Sequence, residues 1–288
     1  MERLPYHESG ITLFFTQGTH SSSHDLGPTP PEGPTPNDSR LRPSVTSVTV
    51  VLPCLDEAAA LPGVLAAVPA GWQVLVVDNG SRDGSPELAA RLGARVVHES
   101  RRGYGAPVHT GIEAATTEVV AVLDCDGSLD PAELVGPVGM VLRDEADLVV
   151  GRRRVVQSRS WPWHARAGNA VLAGLIRAST GVAVHDIAPV RVARRSDLLE
   201  LGVVDRRFGY PLETVLAAAQ AGWRVVEVDV TYRRRTLGGR SKVSGSVRGT
   251  LRVLHDFAWV LRRRWRPRPV QPGPGPLTHP NPPTTPNS

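Results

Sequence analysis

The sequence predicts an α/β fold in which a mostly parallel central sheet carries helices on both faces, as a single domain between two disordered tails. Three observations lead there. Short β-branched runs alternate with helical patterns between residues 45 and 265. Those runs are near-continuously apolar, as strands buried on both faces are. Three of them end in polar clusters: "PCLDE" (53–57), "DNGSRDGS" (78–85) and "DCDGS" (124–128). Sheets of this class bind ligands at the carboxyl ends of their strands, so three clusters at one edge predict one site.

The elements follow in order. Residues 1–44 open the chain; from 16 on they are rich in Ser, Thr, Pro and Gly and poor in core formers, which predicts a disordered tail. Strands are expected at 48–52, 74–77, 95–97, 119–123 and 147–150, from their Val, Leu and Ala runs. Helical spacing falls between them at 58–68, 86–92, 106–115 and 131–143. A last amphipathic helix spans 247–265, with Leu251, Leu254, Phe257, Ala258 and Leu261 at helical spacing among arginines. Residues 266–288 repeat the Pro-rich character of the first tail.

Composition narrows the function. The formal net charge is +5, and Lys242 is the one lysine, so the positive charge is almost all arginine. A guanidinium binds phosphate or carboxylate through paired hydrogen bonds, which suits an anionic partner. No nucleic acid is expected, because the arginines lack interleaved aromatics and a recognition motif. Cys54 and Cys125 end apolar runs without CxxC or zinc spacing, which predicts a reduced setting rather than a disulfide framework, with Cys125, pointing opposite to Asp124 and Asp126, packed into the fold and inert. No apolar run approaches the roughly 20 residues of a membrane span. The first residues carry Glu2, Arg3 and Glu8 and no signal-peptide core. A cytoplasmic protein is expected, peripheral on the inner face of the membrane if it meets one.

Asp124 and Asp126 stand at i and i+2 on an extended segment, so both carboxylates face the same way. Hard oxygen ligands of this kind suit Mg²⁺ or Mn²⁺ bridging to phosphates. Helix capping does not need them: Asp130, Pro131 and Glu133 already form the pattern of a capping box. Asp78, ending the second strand, is placed to accept hydrogen bonds from a base or ribose. In "RRGYGAPVHTG" the third glycine of a dinucleotide fingerprint would fall at Val108, and no acidic residue follows at the required distance. A nicotinamide dehydrogenase is therefore excluded.

Pro53 to Glu57, Asp78 to Ser85, and Asp124 to Gly127, in that order, resemble the signatures of family-2 glycosyltransferases. The stretch "FGYPLETVLAAAQAGWRVVEVDVTYRRRTLGGRSKVSG" (208–245) resembles the dolichyl- and polyprenyl-phosphate sugar synthase branch. The similarity covers 46–262. It implies a GT-A fold, a nucleotide-sugar donor, a divalent metal and inverting transfer. By position it implies that Pro53, Leu55, Glu57 and Asp78 line the nucleoside pocket, with Asp124 beside the nucleotide. Asp124 and Asp126 would hold the metal and diphosphate, with Ser128 where relatives often place a glutamine ligand. Asp56 stands where asparagine is common. Arg153, Arg166, Arg235 and Lys242 are implied to hold acceptor phosphate or donor diphosphate.

The reaction implied is a single in-line displacement of hexose from GDP-mannose or UDP-glucose. A hydroxyl acceptor would need a base to remove its proton. A phosphate acceptor, with a second pKa of about 6, would need cations instead. Asp186 and Glu213 are the candidate bases, and pairing of either with an arginine is the alternative. A polyprenyl phosphate acceptor is the leading expectation, with membrane contact through 247–265. The alternatives are a soluble hydroxyl acceptor and a sugar-nucleotide nucleotidyltransferase.

Overall fold

The computed structural model describes residues 48–155, 163–187, 190–233 and 247–264, by backbone alone at 163–167, 169, 179 and 247–254. All belong to one unit, Arg42–Ser288. Both expected tails, Arg235 and Lys242 lie outside the described residues, as does the Arg166 side chain.

The described strands are β1 (Val48–Cys54), β2 (Gln73–Asp78), β3 (Arg95–His98), β4 (Val119–Val122), β5 (Leu148–Val155), β6 (Arg191–Arg194) and β7 (Val225–Tyr232). They form one sheet in the order β3-β2-β1-β4-β6-β5-β7. Every pairing is parallel except those of β6, which runs antiparallel to both β4 and β5. The first five strands lie where the apolar runs placed them. The antiparallel β6 was not expected: its four residues, "RVAR", are bounded by arginines and carry no run.

Helices cover both faces. On one lie α1 (Leu61–Ala66), α2 (Ser85–Arg91) and α4 (Val135–Leu142), packed on Val48, Val50, Leu52 and Leu123. On the other lie α3 (Gly105–Ala114), α5 (Trp163–Thr180), α6 (Arg195–Glu200), α7 (Tyr210–Gln220) and α8 (Val247–Arg264), packed on Val51, Val77, Val120 and Val150. Alternate residues of β1 thus enter opposite cores, each fully buried valine or leucine contributing about 1.5–3 kcal/mol. Gly111 lets α3 lie directly on β1, because a Cβ there would collide with Val51.

Two helix expectations change. α1 starts three residues late because residues 58–60 form a turn closed by Ala60 and Leu61 amides donating to the Glu57 carbonyl, 2.9 and 3.1 Å. The expected 131–143 helix begins as a 3₁₀ turn, Pro131–Leu134. Asp130 caps it through Ala132 N at 3.0 Å. Glu133 does not complete a capping box; its carboxylate accepts Thr231 N of β7 at 2.8 Å and ties the two segments together.

Candidate active site

Loops at the carboxyl ends of β1, β2 and β4 border a cleft of about 690 Å³ lined by Pro53, Leu55, Glu57, Asn79, Asp124 and Asp126, among others. The first two loops are fastened to each other. Ser81 Oγ accepts from Asp56 N and Ser85 Oγ from Glu57 N, both 2.9 Å. Asp56 Oδ1 accepts from Arg82 N at 2.7 Å, and Asp83 Oδ2 from Ala58 N at 2.9 Å. Asp56 has φ 51°, a left-handed conformation that Asp and Asn tolerate best, which explains why one of these two residues suits the position. Most of the polar groups in "DNGSRDGS" therefore build the loop, leaving the cleft edge to Asn79, Gly80 and Arg82.

Asp78 is buried below that edge and is not among the cleft-lining residues. Its carboxylate accepts Gly80 N and Ser81 N, each at 3.1 Å, and lies 3.3 Å from His98 Nδ1. Burial would raise its pKa, but the bonds from Ser81, Gly80 and His98 prevail and hold it below the usual carboxylate value. Asn79 staples the neighbouring loop, donating through Nδ2 to the carbonyls of Glu99 and Arg101 at 2.7 and 2.8 Å.

After β4, Asp124 and Asp126 border the cleft, and Gly127, with φ 75°, turns the chain directly after them. Asp126 Oδ1 accepts Ser128 N at 2.9 Å. Ser128 is buried outside the cleft lining, and its Oγ has no hydrogen-bond partner among the described residues. Tyr104 lines the same cleft, and its hydroxyl is pushed well above its usual pKa by burial and then by the charge of Asp124.

Arg153 leaves β5 beside this end of the sheet. Its Nε and Nη2 bond the two oxygens of Asp186 at 2.8 and 2.7 Å, its amide adds a third bond at 2.9 Å, and its guanidinium lies 5.6 Å from the Tyr232 ring centroid. Burial would lower the Arg153 pKa; Asp186 outweighs it and raises it, and the charge of Asp124 adds to the effect. Asp186 is in turn fixed by its own amide bonding Glu227 at 2.9 Å. Next to them Asp229 clamps Arg152 and Arg154 at 2.6 and 2.7 Å, which lowers its pKa to about 2. Glu213 is wholly buried in α7, where its carboxylate accepts Val204 N, Asp205 N and Arg264 Nε at 3.1, 2.7 and 3.0 Å.

Pro53, Leu55, Glu57, Asp124 and Asp126 thus meet at one cleft, while Asp78, Ser128, Asp186, Glu213 and Arg153 are not among the residues lining it. Sequence reasoning missed Arg191. It opens β6 opposite Val122 of β4 and Val150 of β5, is 2% exposed, and places its guanidinium 6.0 Å from the Tyr104 ring centroid. An arginine inside the apolar stretch "PVRVA" was the available signal. A charged side chain retained in a sheet core marks a site worth inspection.

A mixed α/β sheet with an acidic cleft at its strand ends is a ligand-binding architecture, and the similarities to known proteins specify it. Residues 49–202 match the family model "Glycosyl transferase family 2", and the chain belongs to that family. An uncharacterized glycosyltransferase of Mycobacterium tuberculosis (strain ATCC 25618 / H37Rv) is 58% identical over 215 residues, covering 75% of this chain and 98% of the relative. The polyprenol monophosphomannose synthase of Mycolicibacterium smegmatis is 32% identical over 234 residues, 75% of this chain and 87% of the relative. Glucosyl-3-phosphoglycerate synthase from Mycobacterium tuberculosis, crystallised with Mn²⁺, UDP and glucosyl-3-phosphoglycerate, superposes with a TM-score of 0.60 at 20% identity, covering 78% of this chain and 81% of that one. The fold is GT-A, and the chain is a glycosyltransferase.

The acidic edge fits a divalent cation. Among the described residues no group of three His, Cys, Asp or Glu side chains could hold a metal ion. Mg²⁺ and Mn²⁺ held with a substrate diphosphate need only one or two carboxylates, water and phosphate oxygens. Asp124 and Asp126 line the cleft and are the carboxylates that would serve in such a set.

Proposed function

We propose that this glycosyltransferase moves a hexose from GDP-mannose or UDP-glucose to a polyprenyl phosphate, with inversion at the anomeric carbon. Pro53, Leu55 and Glu57 hold the nucleoside in the cleft, with Asp78 stiffening the loop beneath it. Asp124 and Asp126 hold Mg²⁺ or Mn²⁺ together with the diphosphate. When bound, the ion offsets the charge that develops on the departing nucleoside diphosphate.

The observation that carries the acceptor class is the commitment of both candidate bases to arginines. Asp186 makes a two-pronged bond to Arg153, and Glu213 bonds Arg264 and two backbone amides. Both oxygens of each carboxylate are engaged in these bonds, and neither residue lines the cleft. A phosphate acceptor, largely dianionic at neutral pH, has no proton to lose. What it needs is a fixed cation, and Arg153 is oriented for that by Asp186 and Tyr232. Arg166, Arg235 and Lys242 complete the phosphate-binding set in this reading.

A lipid-linked acceptor calls for contact with a membrane surface, for which α8 is suited. Val260 is buried against the core, while Trp259, Arg262 and Arg263 are exposed, with the Arg263 guanidinium 5.4 Å from the Trp259 ring centroid. Aromatic and basic residues on one helix face suit an anionic interface. Among the described residues no helix is long and apolar enough to cross a membrane. The catalytic domain in this reading is 45–265.

The test is transfer from each sugar nucleotide, with Mn²⁺, to a short polyprenyl phosphate and to 3-phosphoglycerate. A lipid-phosphate product alone supports the reading. Product on the soluble acceptor alone overturns it.

A further inference from the structure

Cys54 and Cys125 are neighbours across two strands. β1 and β4 pair in parallel up to Val51↔Val122, and Leu123 N continues the ladder by donating to Val51 O at 3.1 Å. Three residues further along each chain lie the two cysteines. Both join the same core cluster as Leu52 and Leu123, so their side chains project to one face of the sheet. Adjacent strands lie about 4.8 Å apart. Disulfides span Cα separations of about 4.4–6.8 Å. Cys125 Sγ donates to the carbonyl of Pro53, the residue before Cys54, at 3.2 Å. Both are free thiols in this structure, almost wholly buried, yet both form part of the cleft wall. A small oxidant entering the cleft meets them together.

We propose that Cys54 and Cys125 are an oxidation site that closes, with hydrogen peroxide or a similarly small hydroperoxide, into a reversible disulfide in the cleft floor. One thiol sulfur attacks the peroxide, the O–O bond breaks, and a sulfenic acid and water form. The second thiol attacks the sulfenic sulfur, making the S–S bond and releasing a second water. The pair gives up two electrons and two protons, and the peroxide is reduced to water. A dithiol reverses the step by thiol–disulfide exchange.

The bond has a mechanical consequence. An S–S bond of about 2.05 Å draws the two sulfurs together and withdraws the Cys125 proton from Pro53 O. Pro53 and Leu55 flank one cysteine, and Asp124 and Asp126 flank the other. The cross-link therefore draws the nucleoside side of the cleft against its acidic side. This consequence rests on the proposed function; the disulfide itself does not.

Mass spectrometry of the full chain after peroxide treatment, with thiols counted under denaturing conditions, tests the proposal. The expected product is a monomer lighter by two hydrogen atoms, without titratable thiols, and restored by dithiothreitol. Cys54→Ser and Cys125→Ser should each lose that mass change. Unchanged thiols, oxygen addition without cross-linking, or a disulfide-linked dimer would each overturn the assignment. Because the wild-type chain gives the decisive reading, poor folding of either variant does not block the test. In the cross-linked monomer, Mn²⁺-dependent nucleotide binding should weaken about tenfold or more, or about 1.4 kcal/mol. Unchanged binding by that monomer would refute the mechanical consequence while the mass change stood.

Discussion

Replacing Asp186 with alanine strips Arg153 of its two-pronged partner. The pair is well buried, with side-chain exposures of 18% for Arg153 and 2% for Asp186, and Arg153 donates three hydrogen bonds to the one carboxylate. Removing one partner of such a pair costs about 3–5 kcal/mol, because the remaining charge stays buried and loses its two-pronged partner. For a domain of this size that is a fall in Tm of about 10 °C. Replacing both residues, Arg153→Met with Asp186→Leu, removes the charges together and should recover part of that loss, ending about 1–3 kcal/mol below the parent because the amide of residue 153 loses its acceptor. Thermal denaturation and transfer assays on the single and double variants separate packing from chemistry. The double variant should be stable and inactive toward polyprenyl phosphate. A double variant that is both stable and fully active would refute the role given to Arg153.

Three further outcomes follow from the same structure. Asp126→Asn should abolish the Mn²⁺-dependent part of nucleotide binding in calorimetry while circular dichroism stays native; retained Mn²⁺ dependence would displace the metal from that carboxylate. Glu99 is held at about 2, below its ordinary 4.5, first by the Arg101 side chain and then, against burial, by Thr110 and the Arg101 amide. Because the folded value is depressed, its stabilisation is fully present above pH about 4.5 and is lost as pH falls toward about 2, so Glu99→Gln should flatten acid unfolding in that window. Trp259→Ser with Arg263→Glu should reduce flotation with anionic liposomes at low salt and leave transfer to a detergent-dispersed acceptor unchanged; equal flotation would remove α8 from the membrane contact.

The sequence made the central part of this architecture legible because its signals were local. β1 to β5 announce themselves as apolar runs, and Asp124 and Asp126 as paired carboxylates that Asp130 leaves free of capping. What stayed hidden was long-range. That Ser81, Asp83 and Ser85 fasten the loop at 56–58 depends on hydrogen bonds between residues about 25 apart in the chain. β6 is four residues long and bounded by arginines, so neither periodicity nor composition marks it as a strand, and the one trace of Arg191 was a charge inside "PVRVA". Glu213, an acid in an apolar helix, read from the sequence as either a base or an arginine's partner. Its explanation, Arg264, lies 51 residues away on α8. The closeness of Cys54 and Cys125 required a register between strands that no spacing rule supplies.

The central claim is that fixed cations, rather than a base, prepare the acceptor. It is tested most directly by transfer to a short polyprenyl phosphate set against the same polyprenol without its phosphate, with Mn²⁺ and each sugar nucleotide. The account predicts a glycosyl phosphate product from the first and none from the second. Equal transfer to the free alcohol would contradict it.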